Sequence, residues 1–269
     1  MSVSVRLNRN LANYPIACSA RTAVHWKKGK RSRRWLADLP WEDKIQIRFP
    51  ASLERDALRL PTGHDMGVLF LLLAELQRLN PKKRKDTVSA VQFSTATAVL
   101  RHLSVSSCSR ERERLFAALD LLSQMSLRHR QWYVPLGESV RKVLPPPILD
   151  WEQRGYRISI KIAPAWVSLA TDPKFTVNVP LPLPIDHASQ NLALMIRAWD
   201  LEGDYQMHNR SSRARKAGIA RWHRKQRLFA ALETARDWFE ENGGGIEIVH
   251  QHFGELGLLV IQPGQTASS

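Results

Sequence analysis

Eight lysines and arginines and no carboxylate stand between His208 and Arg227: Arg210, Arg213, Arg215, Lys216, Arg221, Arg224, Lys225 and Arg227. Like charges this dense repel one another on a helix face unless an anion offsets them. The anion that suits such a run is a phosphate backbone, which gives affinity without sequence choice. Three side chains at its end could do more. His223, Gln226 and Arg227 fall at i, i+3 and i+4, which puts them on one face of a helix. Gln can pair in bidentate fashion with adenine, and Arg with guanine. The spacing therefore predicts a base-reading helix preceded by a phosphate-holding one.

Other chemistry is poorly supplied. His250 and His252 are one residue apart on a predicted strand and could face one metal. The middle position is Gln251, where paired-histidine nucleases carry a hydrophobic residue, and Tyr133 and Tyr156 fall in predicted strands rather than on a catalytic helix. No Gly-rich phosphate loop of the G-x-x-x-x-G-K-[ST] form occurs. No catalytic residue, metal or cofactor is assigned. Cys108 lies near a predicted helix start, where a thiol pKa can fall.

The elements that must position these residues carry a repeat. Arg-Leu-Phe-Ala-Ala-Leu occurs at 114–119 and again at 227–232. Each copy follows a short polar and basic stretch and precedes two β-prone runs, as when one supersecondary unit is used twice. In the first unit, apolar spacing predicts helices over 65–79, after a cap at Ser94, and over 109–124. A strand pair follows, 127–134 with 156–162, in which Tyr156, Ile158, Ile160 and Ile162 alternate against polar residues. Pro145-Pro146-Pro147 marks the segment between them as an extended, partly mobile wing loop. The second unit has helices over 188–201, 211–221 and 223–241, then strands at 246–250 and 256–261. Leu115 and Leu228, equivalent in the repeat, are both predicted to be buried. Arg110 and Arg114 face outward on the third helix of the first unit, where they alternate with Glu111 and Glu113, so this helix either contacts DNA weakly or forms a protein interface.

The chain of 269 residues has room for two domains, and its 40 Lys/Arg against 25 Asp/Glu, a net charge of +15, call for a polyanionic partner. The longest apolar run, residues 68–74, is far short of the ~20 residues needed to span a bilayer. Early polar residues Arg6, Asn8, Arg9 and Asn10 break any signal-peptide core. Two cysteines fit a reducing cytoplasm. The expected fold is α+β, mainly helical, with two tandem winged-helix domains at 51–180 and 181–262. A basic segment at 1–50 precedes them, and a frayed tail follows at 263–269.

With the repeat laid out, the chain resembles plasmid replication initiators of the Rep type. The stretches that carry this are VQFSTATAVLRHLSVSSCSRERERLFAALDLL, YRISIKIAPAW, FTVNVPLPLP leading to NLALMIRAW, and KQRLFAALETARDWF followed by GGGIEIV. The resemblance covers about residues 45–262. It implies sequence-specific binding of double-stranded DNA at repeated origin sites, with His223, Gln226 and Arg227 reading bases. It gives Arg110 and Arg114 a supporting role, and adds a homodimer and host replication proteins as partners. Two alternatives stay open. One is an RNA-binding or RNA-processing subunit of a CRISPR-type ribonucleoprotein, with His25, His208 or His223 as general base. The other is a transcriptional repressor on the same winged-helix frame.

Overall fold

The computed structural model describes residues 3–13, 16–19, 24–29, 34–39, 42–80, 88–133, 139–172, 176–198, 203–207, 224–242, 244–250 and 256–261. Their helices are accompanied by four sheets, an α+β arrangement. The central helix, α2 (Gly63–Leu79), is buried on almost every side. Val68, Leu69, Phe70, Leu71, Leu72 and Leu73 are all at most 2% exposed. A helix apolar all round must be enclosed by other elements. Its start is fixed by a capping box: the Thr62 side chain accepts from Asp65 N, and Asp65 Oδ2 accepts from Thr62 N at 2.6 Å. Two hydrogen bonds from Arg59, at 2.6 and 2.8 Å, hold the same buried carboxylate.

After α2 come β5 (Ala90–Phe93), α3 (Ala96–His102) and α4 (Ser109–Gln124). The residue capping α3 is Thr95, whose hydroxyl accepts from Ala98 N at 3.0 Å, and not Ser94. A hairpin of β8 (Ile148–Arg154) and β9 (Arg157–Ile162) then closes a sheet in the order β5-β9-β8. Ile158, Ile160 and Ile162 fill its core side. Tyr156 does not continue that row. It lies in the two-residue turn with Gly155, which takes φ +59°, and turns of this length put positive φ on glycine.

The expected pairing of 127–134 with 156–162 is replaced by another. Strand β6 (Ser126–Tyr133) pairs with β4 (Glu42–Pro50) and β7 (Ser139–Leu144), within a sheet ordered β2-β3-β4-β6-β7. Here β2 is Lys27–Lys28 and β3 is Arg34–Leu39. The register sets Leu127 opposite Ile47 and Leu144, so one apolar face runs continuously across three strands. Prolines 145–147 lack amide donors and end the ladder between β7 and β8. The described part of the expected wing segment, from 139 to 154, is thus a strand, a short bend and another strand rather than a loop. Residues 24–50, read as part of a basic segment, supply three of the five strands.

Helix α5 (Pro164–Thr171) was not expected; Pro164 in its first turn is well placed, since the amide it lacks would be unbonded there. Strand β10 (Thr176–Leu181) pairs antiparallel with β1 (Val3–Asn8), which leads into the short α1 (Arg9–Asn13). Helix α6 (His187–Ala198) packs on α1 and on α7 (Arg224–Glu241). Gln190 Nε2 donates to the carbonyl of Gly63 at 3.0 Å, and a Cβ at Gly63 would collide with the carbonyl of Ile185. That contact joins α6 to the start of α2. The last sheet runs β11-β13-β12, formed by Gly203–Met207, Leu256–Ile261 and Gly245–His250.

Candidate nucleic-acid interface

The repeated hexapeptide occupies matching environments. Arg114 and Arg227 are exposed, Phe116 and Phe229 half-buried, and Ala117 and Ala230 exposed. Ala118 and Ala231 are buried, as are Leu119 and Leu232. The match continues beyond the hexapeptide, with Leu122 and Ala235 buried and Met125 and Trp238 buried. Each copy lies on the helix that leads toward a strand pair. In both three-stranded sheets the strand preceding that helix pairs with the last strand of the unit, so β5-β9-β8 and β11-β13-β12 share one order. The first copy differs in having β6 and β7 inserted after the helix.

Leu115 is buried, as its place in the repeat requires. The side chains of its equivalent, Leu228, and of Gln226, Arg224 and Lys225 lie outside the described residues, although α7 contains all four positions. His223, Arg210, Arg213, Arg215, Lys216 and Arg221 also lie outside them, as do 211–221, read as a helix, and His252. Arg227 is exposed on α7. Superposing the repeat puts 223, 226 and 227 at the positions of Arg110, Glu113 and Arg114. All three of these are exposed on α4.

A tight turn delivers α4. Ser104 takes φ +55° and its amide donates to the carbonyl of Arg101, while Val105 N donates to that of Leu100 at 3.1 Å. This is a Schellman closure with serine in the place glycine usually fills. Val105 then packs on the core. The chain passes Ser106 and Ser107 to Cys108, the residue before α4. Together Ser106, Ser107, Cys108, Ser109 and Arg110 form an exposed polar edge at the helix N-terminus, where amides and dipole favour anions.

Arg110 is exposed at this edge, whereas Arg114 is tied to Glu111 by an ion pair of 2.6 Å. Arg114 also faces a cleft of about 650 Å³ that it shares with Arg59, His64, Asp65, Asp186 and His187. Burial lowers the His64 pKa, and its Nε2 is buried without a hydrogen-bond partner among the described residues. His187 and the amide and hydroxyl of Ser189 hold the Asp186 carboxyl far below the usual carboxylate range. At the far end of the unit, the β8–β9 turn presents Arg154, Tyr156 and Arg157, with Tyr156 83% exposed. Sequence alternation misplaced this tyrosine. The Gly155-Tyr156 pair, two residues between strands, was the signal for a turn.

Among the described residues no group of three or more His, Cys, Asp or Glu side chains could hold a metal ion. None of the described helices is long and apolar enough to cross a membrane. The two cysteines differ sharply. Hydrogen bonds from Ser106 and the backbone of Glu111 lower the exposed Cys108 thiol, while burial, then the charge of Asp65, pushes the Cys18 thiol up. An alkylating reagent should therefore modify Cys108 and spare Cys18 in the native protein. Duplex DNA should slow that modification. Equal rates with and without DNA would remove this end of α4 from the interface.

No protein-family model matches the sequence, and no curated protein matches it. Solved structures do. The crystal structure of selenomethionine derivatives of domain 2 and domain 3 of RctB superposes with a TM-score of 0.54, covering 96% of this chain and 99% of that one at 10% identity. A second, of RctB domains 2–3, gives a TM-score of 0.55 over 92% and 95% of the two chains, again at 10% identity. The chain thus has the fold of RctB domains 2 and 3 along nearly its whole length.

Proposed function

We propose that the chain is a sequence-specific double-stranded DNA-binding protein that initiates replication, built from two winged-helix units in tandem. The observation that carries this reading is the duplicated unit: two three-stranded sheets of one strand order, each with its first strand before, and its other two after, a helix with the same hexapeptide and burial pattern. In a winged helix the third helix enters the major groove while the hairpin beside it reaches the backbone. Helices α4 and α7 have that place, and the β8–β9 and β12–β13 pairs are the wings. The boundaries 51–180 and 181–262 describe the two units. The fold shared with the replication initiator RctB supports the initiator role over that of a repressor. Repeated plasmid origin sites are the targets such a tandem protein suits.

In this reading His223, Gln226 and Arg227 read base edges. Arg210, Arg213, Arg215, Lys216, Arg221, Arg224 and Lys225 hold phosphates, with Arg110 and Arg114 supporting from the first unit. The protein acts by binding and positioning DNA rather than by a catalytic step, as a homodimer that recruits host replication proteins.

Arg227→Ala should lose about 1–3 kcal/mol on the preferred site and relax discrimination at one base pair. Arg215→Ala should weaken all duplexes alike and reduce the log–log salt slope by about 1. Titrating both variants on specific and scrambled duplexes across a salt series separates the roles. Uniform loss from both would make the second unit an electrostatic clamp that reads no bases.

A further inference from the structure

The outer face of the five-stranded sheet carries a basic cluster to which the reading above gives no role. The register places Arg34 on β3 diagonal to Arg48 on β4, and Arg48 diagonal to Arg128 on β6. One row of three guanidinium groups thus crosses three strands. By strand alternation Lys27, Arg130 and Arg141 share the face. Among the described side chains of this face there is one carboxylate, Asp38. It is already engaged by Arg130 at 2.9 Å and by Gln46 Nε2 at 3.1 Å.

The three arginines of the row have no ion-pair partner among the described residues. Arg34 donates to the Ser126 hydroxyl at 3.2 Å, and that hydroxyl donates to the carbonyl of Arg48. The Nε of Arg48 is buried and has no hydrogen-bond partner among the described residues. Burial first, then the charges of Arg34 and Arg128, lowers the Arg48 pKa. A sheet that folds like charges against one another, with a guanidinium N–H unmatched, is arranged for an anion that meets several of them at once.

We propose that this face is a second nucleic-acid surface, which grips the phosphodiester backbone of duplex DNA without reading sequence. The proposal rests on the nucleic-acid reading above and adds a site apart from the helices α4 and α7 and from the β8–β9 and β12–β13 wings. DNA led off the first unit would be held here by Arg34, Arg48 and Arg128.

The test uses the full chain, with a random 30-base-pair duplex and a single-stranded RNA as probes in separate salt series. Arg48→Gln with Arg128→Gln should make the duplex salt slope shallower by about 2 and weaken low-salt binding about tenfold or more, whatever the sequence. Arg48→Lys with Arg128→Lys should restore most of it, which a packing role would not. The melting temperature should hold or rise, because a mutual repulsion is relieved. Lys27→Gln with Arg141→Gln, two exposed positions on the same face, should flatten the slope in the same way without touching a half-buried side chain.

Unchanged slope and affinity in both double variants, with duplex binding intact, would overturn this site and leave the proposed function standing. Wild-type binding to RNA alone, lost in the double variants, would overturn the duplex reading and keep the sheet as a phosphodiester site. Binding to neither probe would overturn both.

Discussion

Replacing Leu115 by Ala should lower the unfolding free energy by about 2–5 kcal/mol, as should Leu228→Ala. Leu115 is 1% exposed on α4, which packs against α2, α3 and β8, so the side chain has no route to water. Removing three carbons leaves a hole whose walls belong to several elements, and such walls relax only in part. Urea titrations of both variants measure the loss. The near equality of the two effects is the specific expectation, because equivalent places in a duplicated unit should be emptied at similar cost. A Leu228→Ala variant as stable as the parent would break the equivalence. Ala117 and Ala230, exposed in both copies, are the controls, and substitutions there should stay within about 0.5 kcal/mol.

The second large effect is acid loss of stability through His129. The ring is 1% exposed on the inner face of the five-stranded sheet, edge-on to Trp132 at 4.8 Å between centroids, and Lys142 Nζ lies over that same indole at 4.5 Å. Burial, then the Lys142 charge, lowers the His129 pKa to about 4, against about 6.5 in an unfolded chain. Between those values the unfolded chain binds the proton and the folded chain does not. Stability from this group is therefore complete above about pH 6.5 and falls as pH drops toward 4, by about 3 kcal/mol in all. Denaturant unfolding at stepped pH values should show that slope in the parent protein and a flatter one in His129→Leu. Identical pH dependence in the two would rule out His129 as its source.

Local signals made the repeated helices legible. The period of Leu115, Leu119 and Leu122 and the stop at Gln124 gave α4 its bounds, and β13 was read with the limits it has. The alternation of Ile158, Ile160 and Ile162 likewise gave β9. Partner choice was not legible. Whether 127–133 pairs with β9 or with β4 depends on residues some eighty positions upstream, and alternation is the same in either case. The short β2 and β3 and the helix α5 are fixed by tertiary contacts more than by their own propensity, which is a weak prior in such segments. At the candidate interface, charge density was read directly from 208–227. The cluster of Arg34, Arg48 and Arg128 was not, because those residues are far apart in sequence and meet only through strand register.

A side-by-side titration of the full chain at one fixed salt concentration tests the duplex-binding claim most directly. The probes are the duplex carrying its preferred site, a scrambled duplex and a structured RNA hairpin of equal length. The proposed function predicts the tightest binding to the preferred duplex and weaker, salt-sensitive binding to the scrambled one. Tighter binding to the RNA hairpin than to any duplex would contradict it.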